Sequence, residues 1–177
     1  MAGLVLDICR ERGLHVSECG GEREISREGG GDFCLKIIPG IPAFNAAASI
    51  AGAPLMHDFA AVSLSDHLTP WEVIEKRLAA AAEADFVLAI YNPRSKTRPG
   101  LLEKARAILL RSRPADTPAA IVRRAMREGQ WKCITTLGKL PVEEVDMQSI
   151  VIVGNSRTYI WNGWMVTPRG YLDKYSI

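Results

Sequence analysis

The sequence predicts an α/β protein whose sheet is completed by antiparallel strands, and three observations support this. Unbroken apolar runs such as FVLAIY (86–91) alternate with helical patterns, as strands covered on both faces do. Further strand-like runs, AAIV (119–122), WKCITTL (131–137) and SIVIVG (149–154), follow toward the C-terminus. Asn162-Gly163 stands between two apolar triplets in YIWNGWMV, the strongest short signal for a β-hairpin.

In the first third of the chain, the sequence predicts a helix and a strand before a glycine-rich loop, and a strand and a second helix after it. Apolar positions in 2–12 repeat with helical spacing until Gly13, and a short strand is expected at 14–17. Residues 20–31 carry five glycines and alternating charges, which is typical of an exposed loop. A buried strand is expected at 33–38 and a small-residue helix at 43–51. That helix can either pack closely on a sheet or leave room for a ligand.

The remaining elements complete the alternation. FAAVSLS (59–65) has the alternation of a strand, and the helix after it is predicted to begin with a capping box formed by Thr69, Pro70 and Glu72. LLEKARAILLRSR (101–113) is amphipathic, and Pro114 ends it. The glycine-rich loop is the most plausible place for a domain boundary.

Composition excludes several classes of protein. The 177 residues carry 22 lysines and arginines against 20 acidic residues, too even a balance for a protein that binds a nucleic-acid backbone. Four cysteines lack CxxC spacing, so we expect reduced thiols and no zinc site. The sequence shows neither a spanning apolar run nor a signal peptide, and we therefore expect no membrane association and a cytoplasmic protein.

Three strand ends are candidates for a ligand site, because open α/β sheets bind ligands beyond the carboxyl ends of their strands. They read PGIPA (39–43), Tyr91-Asn92-Pro93, and VRRA (122–125). None of them is a GxGxxG or Walker loop, so the sequence supports neither a dinucleotide nor ATP.

Cations follow the second of these strand ends in YNPRSKTRP (91–99), which contains Arg94, Lys96 and Arg98. They could be a solvated loop. They could also be a cradle that, with the arginines at 123 and 124, holds a substrate with several carboxylates, since the guanidinium group binds carboxylates through two hydrogen bonds.

Histidine–acid neighbours offer little conventional catalytic machinery. His57-Asp58 and Asp66-His67 are adjacent in sequence, and adjacent residues of a strand point to opposite faces, so neither is a ready dyad. No serine, cysteine and histidine grouping suggests a triad, and the histidine spacing does not suggest a metal site.

Several long stretches together resemble one family. PGIPAFNAAASIAGAPLMHDFAAVSLSDHLTPWEVIEKRL, ADFVLAIYNPRSK, TPAAIVRRAMREGQ, TTLGKL, IVIVGNSRTY and MVTPRGY are similar to the precorrin-3B C(17)-methyltransferases, a branch of the tetrapyrrole methylases. The resemblance covers about residues 36–171 in unbroken order.

This resemblance implies a two-domain α/β enzyme of cobalamin biosynthesis that is a homodimer, uses S-adenosylmethionine and acts on a precorrin tetrapyrrole. It places the cofactor at Pro42, Ala43, Asn92 and Ala125, and makes Arg94, Lys96 and Arg98 candidates for contacts with the substrate's carboxylates. Methylation at ring carbon 17 with ring contraction would require proton transfer. The candidates for that role are His57, Asp58, Asp66 and Tyr91, and the sequence does not choose among them.

Departures from the family pattern define the expected domains. The GxGPGD-like and GDPGIYG-like motifs of the family are absent, so the chain is expected to correspond to the C-terminal three quarters of a member. We expect a partial N-terminal α/β domain at 1–55, interrupted by a glycine-rich insertion at 18–33, and a complete C-terminal α/β domain with a mixed sheet at 56–177. The alternative is a truncated paralogue without catalysis that binds a tetrapyrrole or only dimerises.

Overall fold

The computed structural model describes residues 2–18, 33–94 and 99–174, and the chain divides into two compact units, Met1–Gly40 and Ile41–Ile177. The first unit contains α1 (Ala2–Glu11) and the parallel pair β1 (Val16–Glu18) and β2 (Phe33–Leu35). The glycine-rich loop predicted at 20–31 and the proposed insertion at 18–33 lie almost wholly outside the described residues.

A five-stranded mixed sheet forms the centre of the second unit, as the sequence predicted. In spatial order its strands are β4 (Phe59–Ser63), β5 (Val87–Tyr91), β8 (Ser149–Val153), β6 (Pro118–Arg123) and β7 (Trp131–Thr136). β4 and β5 are parallel, whereas β8 runs antiparallel to both β5 and β6. The carboxyl ends of β4, β5 and β6 therefore lie along one edge of the sheet, together with the amino end of β8.

A smaller sheet joins β3 (Gly52–Ala53), β10 (Trp164–Val166) and β9 (Tyr159–Trp161). β9 and β10 form the predicted hairpin, in which Trp161 pairs with Trp164. Asn162 and Gly163 both have positive φ, 46° and 76°, as a type I′ turn requires. The asparagine–glycine signal is thus confirmed.

Helices cover both faces of the large sheet. They are α2 (Ala43–Ala51), α3 (Trp71–Glu83) and α4 (Leu101–Leu109), and a short α5 (Tyr171–Lys174) follows the hairpin. The alternation of the strands assigns their side chains: Val151 and Val153 pack toward α3 and α4, whereas Ile150 and Ile152 pack with α2. In the described part of the chain, no helix is long and apolar enough to span a bilayer.

Two local predictions were wrong. Residues 33–38 were expected to form a buried strand, but β2 ends at Leu35 and the side chains of Ile37 and Ile38 are 61% and 79% exposed. A strand is buried on both faces only when helices or sheets cover both, and among the described residues β2 pairs only with β1.

The second wrong prediction is the capping box. α3 begins one residue later than expected, Pro70 occupies the N-cap position, and no side chain caps the helix. The carbonyl of Pro70 instead accepts the first helical hydrogen bonds, from the backbone N–H groups of Val73 and Ile74. Proline in that position cannot donate, so the start of α3 depends on backbone bonds rather than on Thr69.

The boundary between the two compact units also differs from the predicted domain boundary after residue 55. The chain divides after Gly40, because α2 belongs to the second unit. Ala47, Ala48 and Ala51 are buried in one core with Val87, Ala120 and Val122 of the large sheet. The assignment of 1–55 to a family domain stays a prediction.

Candidate active site

A cleft of about 490 Å³ opens at the edge of the sheet where β5 and β6 end. The start of α2, the end of β5, the segment after β6 and the amino end of β8 surround it. Its walls are formed by Ile41, Ala43, Ala46, Tyr91, Asn92, Arg124, Ala125, Met126, Arg127, Met147, Gln148, Ser149 and Ile150. These residues include two arginines and no carboxylate, so the cleft is positively charged.

The end of β5 is fixed by Asn92. Its backbone lies in the left-handed region, with φ 52°, a conformation that asparagine tolerates better than most residues. The side-chain amide of Asn92 donates to the hydroxyl of Ser63 at 3.0 Å, and that hydroxyl also accepts from the backbone N–H of Ser65 at 3.2 Å. Asn92 therefore joins the ends of β4 and β5.

The segment after β6 contains two further left-handed residues, Arg124 with φ 50° and Met126 with φ 58°. The carbonyl of Arg124 accepts from the backbone N–H of Arg127 at 2.9 Å, and the backbone N–H of Met126 donates to the Gln130 side chain at 2.9 Å. Three of the five non-glycine residues with positive φ in the described chain thus line this one cleft. Such conformations concentrate at functional sites because the surrounding structure must hold them in place.

Arg124 makes two hydrogen bonds to Gln148, one from its guanidinium group and one from its backbone. Its Nε donates to Oε1 of Gln148 at 2.8 Å, while its backbone N–H donates to the carbonyl of Gln148 at 3.0 Å. A side chain at Gly129 would place a Cβ only 2.9 Å from Nη1 of Arg124, so that glycine leaves room for the guanidinium group. The neighbouring Arg123 is not available in the same way, because it stacks over Trp131 at 5.3 Å.

Two of the strand ends that the sequence singled out, those of β5 and β6, meet at this cleft. The third segment reaches it as the start of α2 and not as a strand end, because β2 already ends at Leu35. Ala43, Asn92 and Ala125, three of the four expected cofactor residues, line it, and Pro42 is the N-cap residue of α2 immediately before Ala43. The sequence left two interpretations of the small-residue helix α2, close packing on the sheet or room for a ligand, and the helix both packs on the sheet and borders the cleft. Its alanines at 47, 48 and 51 pack on the sheet, whereas those at 43 and 46 face the cleft.

The four expected proton-transfer residues fall at opposite edges of the sheet. Tyr91 lines the cleft, and Asp66 follows the carboxyl end of β4 at the same edge. His57 and Asp58 precede β4, one strand length away at the other edge, a distance of roughly 13 Å. Nδ1 of His57 accepts a hydrogen bond from the backbone N–H of Asp58 at 2.8 Å. The structure does not bring these two pairs together.

The predicted cationic loop is only partly described. Arg94 donates through Nη1 to the carbonyls of Val142 and Glu143, both at 3.2 Å, and it does not line the cleft. Lys96 and Arg98 lie outside the described residues.

The wall contributed by the amino end of β8 was not predicted. Met147, Gln148 and Ser149 reach the cleft because β8 lies antiparallel between β5 and β6, so that its start meets their ends. SIVIVG identifies a buried strand but carries no signal for its direction or its place in the sheet. Arg127 was also missed; its only local signal is its position four residues after a strand end.

A second, smaller cleft of about 350 Å³ lies at the opposite edge of the sheet, next to the buried Arg113. Arg113 donates to the carbonyls of Ala81, Phe86 and Gly154. Burial lowers the pKa of its guanidinium group, and the negative charge of Asp85 opposes that shift. Arg113 therefore links α3 to the residue before β5 and the residue after β8, which is a structural role.

Comparison with known proteins agrees with the resemblance seen in the sequence. A family model described as tetrapyrrole (corrin/porphyrin) methylases matches residues 20–141. The chain is 50% identical over 171 residues to a probable cobalt-factor III C(17)-methyltransferase of Salmonella typhimurium, a match that covers 97% of this chain and 64% of the relative. It is 47% identical over 126 residues to a precorrin-3B C(17)-methyltransferase of a Sinorhizobium species, covering 71% of this chain and 50% of that relative.

Among solved structures, the methyltransferase CobJ superposes with a TM-score of 0.71 at 40% identity, over 78% of this chain and 56% of that chain. The chain thus spans half to 64% of the length of the two curated relatives. The expected fold is confirmed. Because the family model matches more than half of its residues, the chain belongs to the tetrapyrrole (corrin/porphyrin) methylase family.

Proposed function

We propose that this chain forms part of an S-adenosylmethionine-dependent C-methyltransferase of cobalamin biosynthesis, which methylates precorrin-3B or its cobalt-bearing counterpart at ring carbon 17 with ring contraction. The observation that carries the proposal is the cleft itself, where the ends of β5 and β6 meet the start of α2 among small residues beside two arginines. We propose the reaction from the names of the relatives, and we propose the cleft as its site.

The cleft residues fit the cofactor. Alanines at 43, 46 and 125 leave space for a ligand close to the backbone, and Asn92 lies beside them directly after β5. When bound, S-adenosylmethionine supplies an electrophilic methyl group. Pro42, Ala43, Asn92 and Ala125 would hold and orient it, and alignment alone contributes about 7–11 kcal/mol in favourable cases.

The outer part of the cleft fits a planar, acid-bearing macrocycle. Ile41, Met126 and Met147 are 84%, 66% and 52% exposed, which is unusual for apolar side chains grouped around one opening. Arg124 and Arg127 stand beside them. An apolar surface next to cations matches a tetrapyrrole ring with acetate and propionate arms.

Arg94, Lys96 and Arg98 remain candidates for further contacts with the substrate's carboxylates. Arg94 would have to exchange at least one of its two carbonyl partners for a carboxylate, which is a stronger acceptor.

For proton transfer we favour Tyr91, because it lines the cleft and is 38% exposed. Asp66, at the same edge, is the second candidate. We favour His57 and Asp58 less, because they lie at the opposite edge of the sheet.

We also propose the homodimer, with β9 in its interface. β9 is an edge strand of the small sheet, and its residues Tyr159, Ile160 and Trp161 are all exposed although they point to both faces. Light scattering coupled to size-exclusion chromatography should give twice the chain mass, and Ile160→Lys should give the monomer. A monomer for the unsubstituted chain would remove this part of the proposal. Such a biosynthetic role fits a cytoplasmic protein with reduced cysteines.

The test is methyl transfer to a tetrapyrrole. The chain is incubated with methyl-labelled S-adenosylmethionine and either precorrin-3B or cobalt-factor III, and the product's label and mass are measured. Label in one product supports the proposal and identifies the substrate. Binding of both ligands without transfer would favour the non-catalytic alternative. Absence of binding would refute the proposed function and leave only the alternative of a chain that dimerises.

A further inference from the structure

Arg124 is the arginine of the cleft whose side chain is oriented by a hydrogen bond to Gln148. Its Nε is occupied by Oε1 of Gln148 at 2.8 Å, and Gly129 leaves the space in which Nη1 lies. The backbone of Arg124 is also fixed, with φ 50° and a hydrogen bond from its N–H to the carbonyl of Gln148 at 3.0 Å. Arginine side chains at a surface normally sample many rotamers, so the hydrogen bond at Nε restrains this side chain more than is usual.

The remaining donors of that guanidinium group point to a ligand of defined chemistry. Among the described residues, Gln148 is the side chain that accepts from this guanidinium group, so the two terminal nitrogens keep their donors. Two parallel terminal N–H groups match the two oxygens of one carboxylate. Two other arginines nearby are used differently, since Arg123 stacks on Trp131 and Arg94 donates to backbone carbonyls, and Arg127 is the second arginine that lines the cleft.

We propose that Arg124 is a specificity-determining residue, which holds one carboxylate arm of the tetrapyrrole through Nη1 and Nη2, with Gln148 and Gly129 as its positioning residues. This inference rests on the proposed function and deepens it, because it assigns substrate selection to one side of the cleft. It predicts that affinity for the tetrapyrrole depends on the number of carboxylates on the ring and on ionic strength. Affinity for the cofactor should not change when Arg124 is replaced.

The experiment titrates the chain with uroporphyrin, which bears an acetate and a propionate on every pyrrole ring, and with mesoporphyrin, which bears fewer carboxylates. Porphyrin fluorescence gives the affinity at low and high salt, and calorimetry gives the affinity for S-adenosylhomocysteine. The variants are Arg124→Gln, Arg124→Lys, Gln148→Leu and Gly129→Ala. Arg111→Gln is the matched control, because it removes the same charge at an exposed ion pair with Glu75, away from the cleft.

We expect Arg124→Gln to weaken uroporphyrin binding about fivefold at low salt and less at high salt, with a smaller effect on mesoporphyrin. Arg124→Lys should recover only part of the loss, since lysine keeps the charge without the fork. Gln148→Leu and Gly129→Ala should each weaken binding about two- to threefold, and Arg111→Gln should not change it.

Unchanged uroporphyrin affinity in Arg124→Gln, with S-adenosylhomocysteine still bound, would overturn this inference and leave the proposed function standing. Full recovery by Arg124→Lys would refute the two-hydrogen-bond contact between the guanidinium group and the carboxylate. Equal losses of affinity for uroporphyrin and for S-adenosylhomocysteine would give Arg124 a purely structural role and would also overturn the inference. Failure of the unsubstituted chain to bind either ligand would refute the proposed function together with the inference.

Discussion

Asn92 makes two separable contributions to the edge of the sheet, and replacing it by glycine and by alanine tells them apart. Its side chain donates to Ser63 at 3.0 Å, and its backbone has φ 52°. Glycine removes the hydrogen bond but adopts positive φ freely, whereas alanine removes the hydrogen bond and also disfavours the left-handed backbone.

The expected losses in the free energy of unfolding follow from these two terms. A partly buried amide–hydroxyl hydrogen bond contributes about 1 kcal/mol, so Asn92→Gly should cost about that much. A left-handed alanine costs roughly 1 kcal/mol more, which brings Asn92→Ala to about 2 kcal/mol. In the double variant with Ser63→Ala, the hydrogen bond is already absent, and the losses should sum to about 1 kcal/mol less than the two single losses.

Urea unfolding followed by tryptophan fluorescence measures these differences in the relevant unit, because all four tryptophans lie within residues 41–177. Equal stability of Asn92→Gly and Asn92→Ala would refute the backbone argument. Additive losses for Asn92→Gly and Ser63→Ala would refute the hydrogen bond between β4 and β5.

Other positions give further expectations for the same urea assay. Met126→Gly should raise the unfolding free energy by about 0.5–1 kcal/mol, since φ is 58° there, and a loss would contradict the strain. Gly52→Ala should cost at least about 2 kcal/mol, because φ is 137° and the new Cβ would lie 2.6 Å from the carbonyl oxygen of Met165; a neutral result would exclude that crowding. Arg113→Met should cost about 3 kcal/mol by leaving three carbonyls without their donor, and a cost below 1 kcal/mol would show that water replaces it. Burial raises the pKa of the Cys133 thiol, so the stability it contributes is complete below the thiol's ordinary pKa and is lost as pH rises through the folded value. Cys133→Ser should reduce the fall in stability at alkaline pH, and an unchanged pH profile would contradict this.

Much of the fold could be predicted because local patterns and tertiary packing agree in the second unit. In the run FVLAIY the four central residues are buried as expected, and Asn162-Gly163 makes the expected turn. The predictions at 33–38 and at Thr69 were wrong where the outcome depends on neighbours that a local pattern does not reveal. An apolar run is buried only if something covers it, and a cap residue acts only if the helix begins beside it.

Only part of the lining of the candidate site could be predicted from the sequence. Asn92 and Ala125 were found because turns after buried strands are visible in sequence. Ala43 was found from a predicted strand that in fact ends at Leu35, and it lines the cleft as the start of α2. Gln148 could not be found, because its role depends on β8 running antiparallel between β5 and β6, which is a property of the sheet. The left-handed backbone of Arg124 likewise has no sequence signal, since arginine is not a residue that favours it.

The most direct test of the central claim is calorimetric titration with S-adenosylhomocysteine of the unsubstituted chain, Ala46→Leu and Ala79→Leu. Ala46 faces the cleft, whereas Ala79 is exposed on α3, so the same substitution fills the site in one variant and leaves it open in the other. We expect binding by the unsubstituted chain and by Ala79→Leu, with at least about a tenfold loss in Ala46→Leu. Unchanged binding in Ala46→Leu, or none in the unsubstituted chain, would contradict the claim that this cleft is a cofactor site.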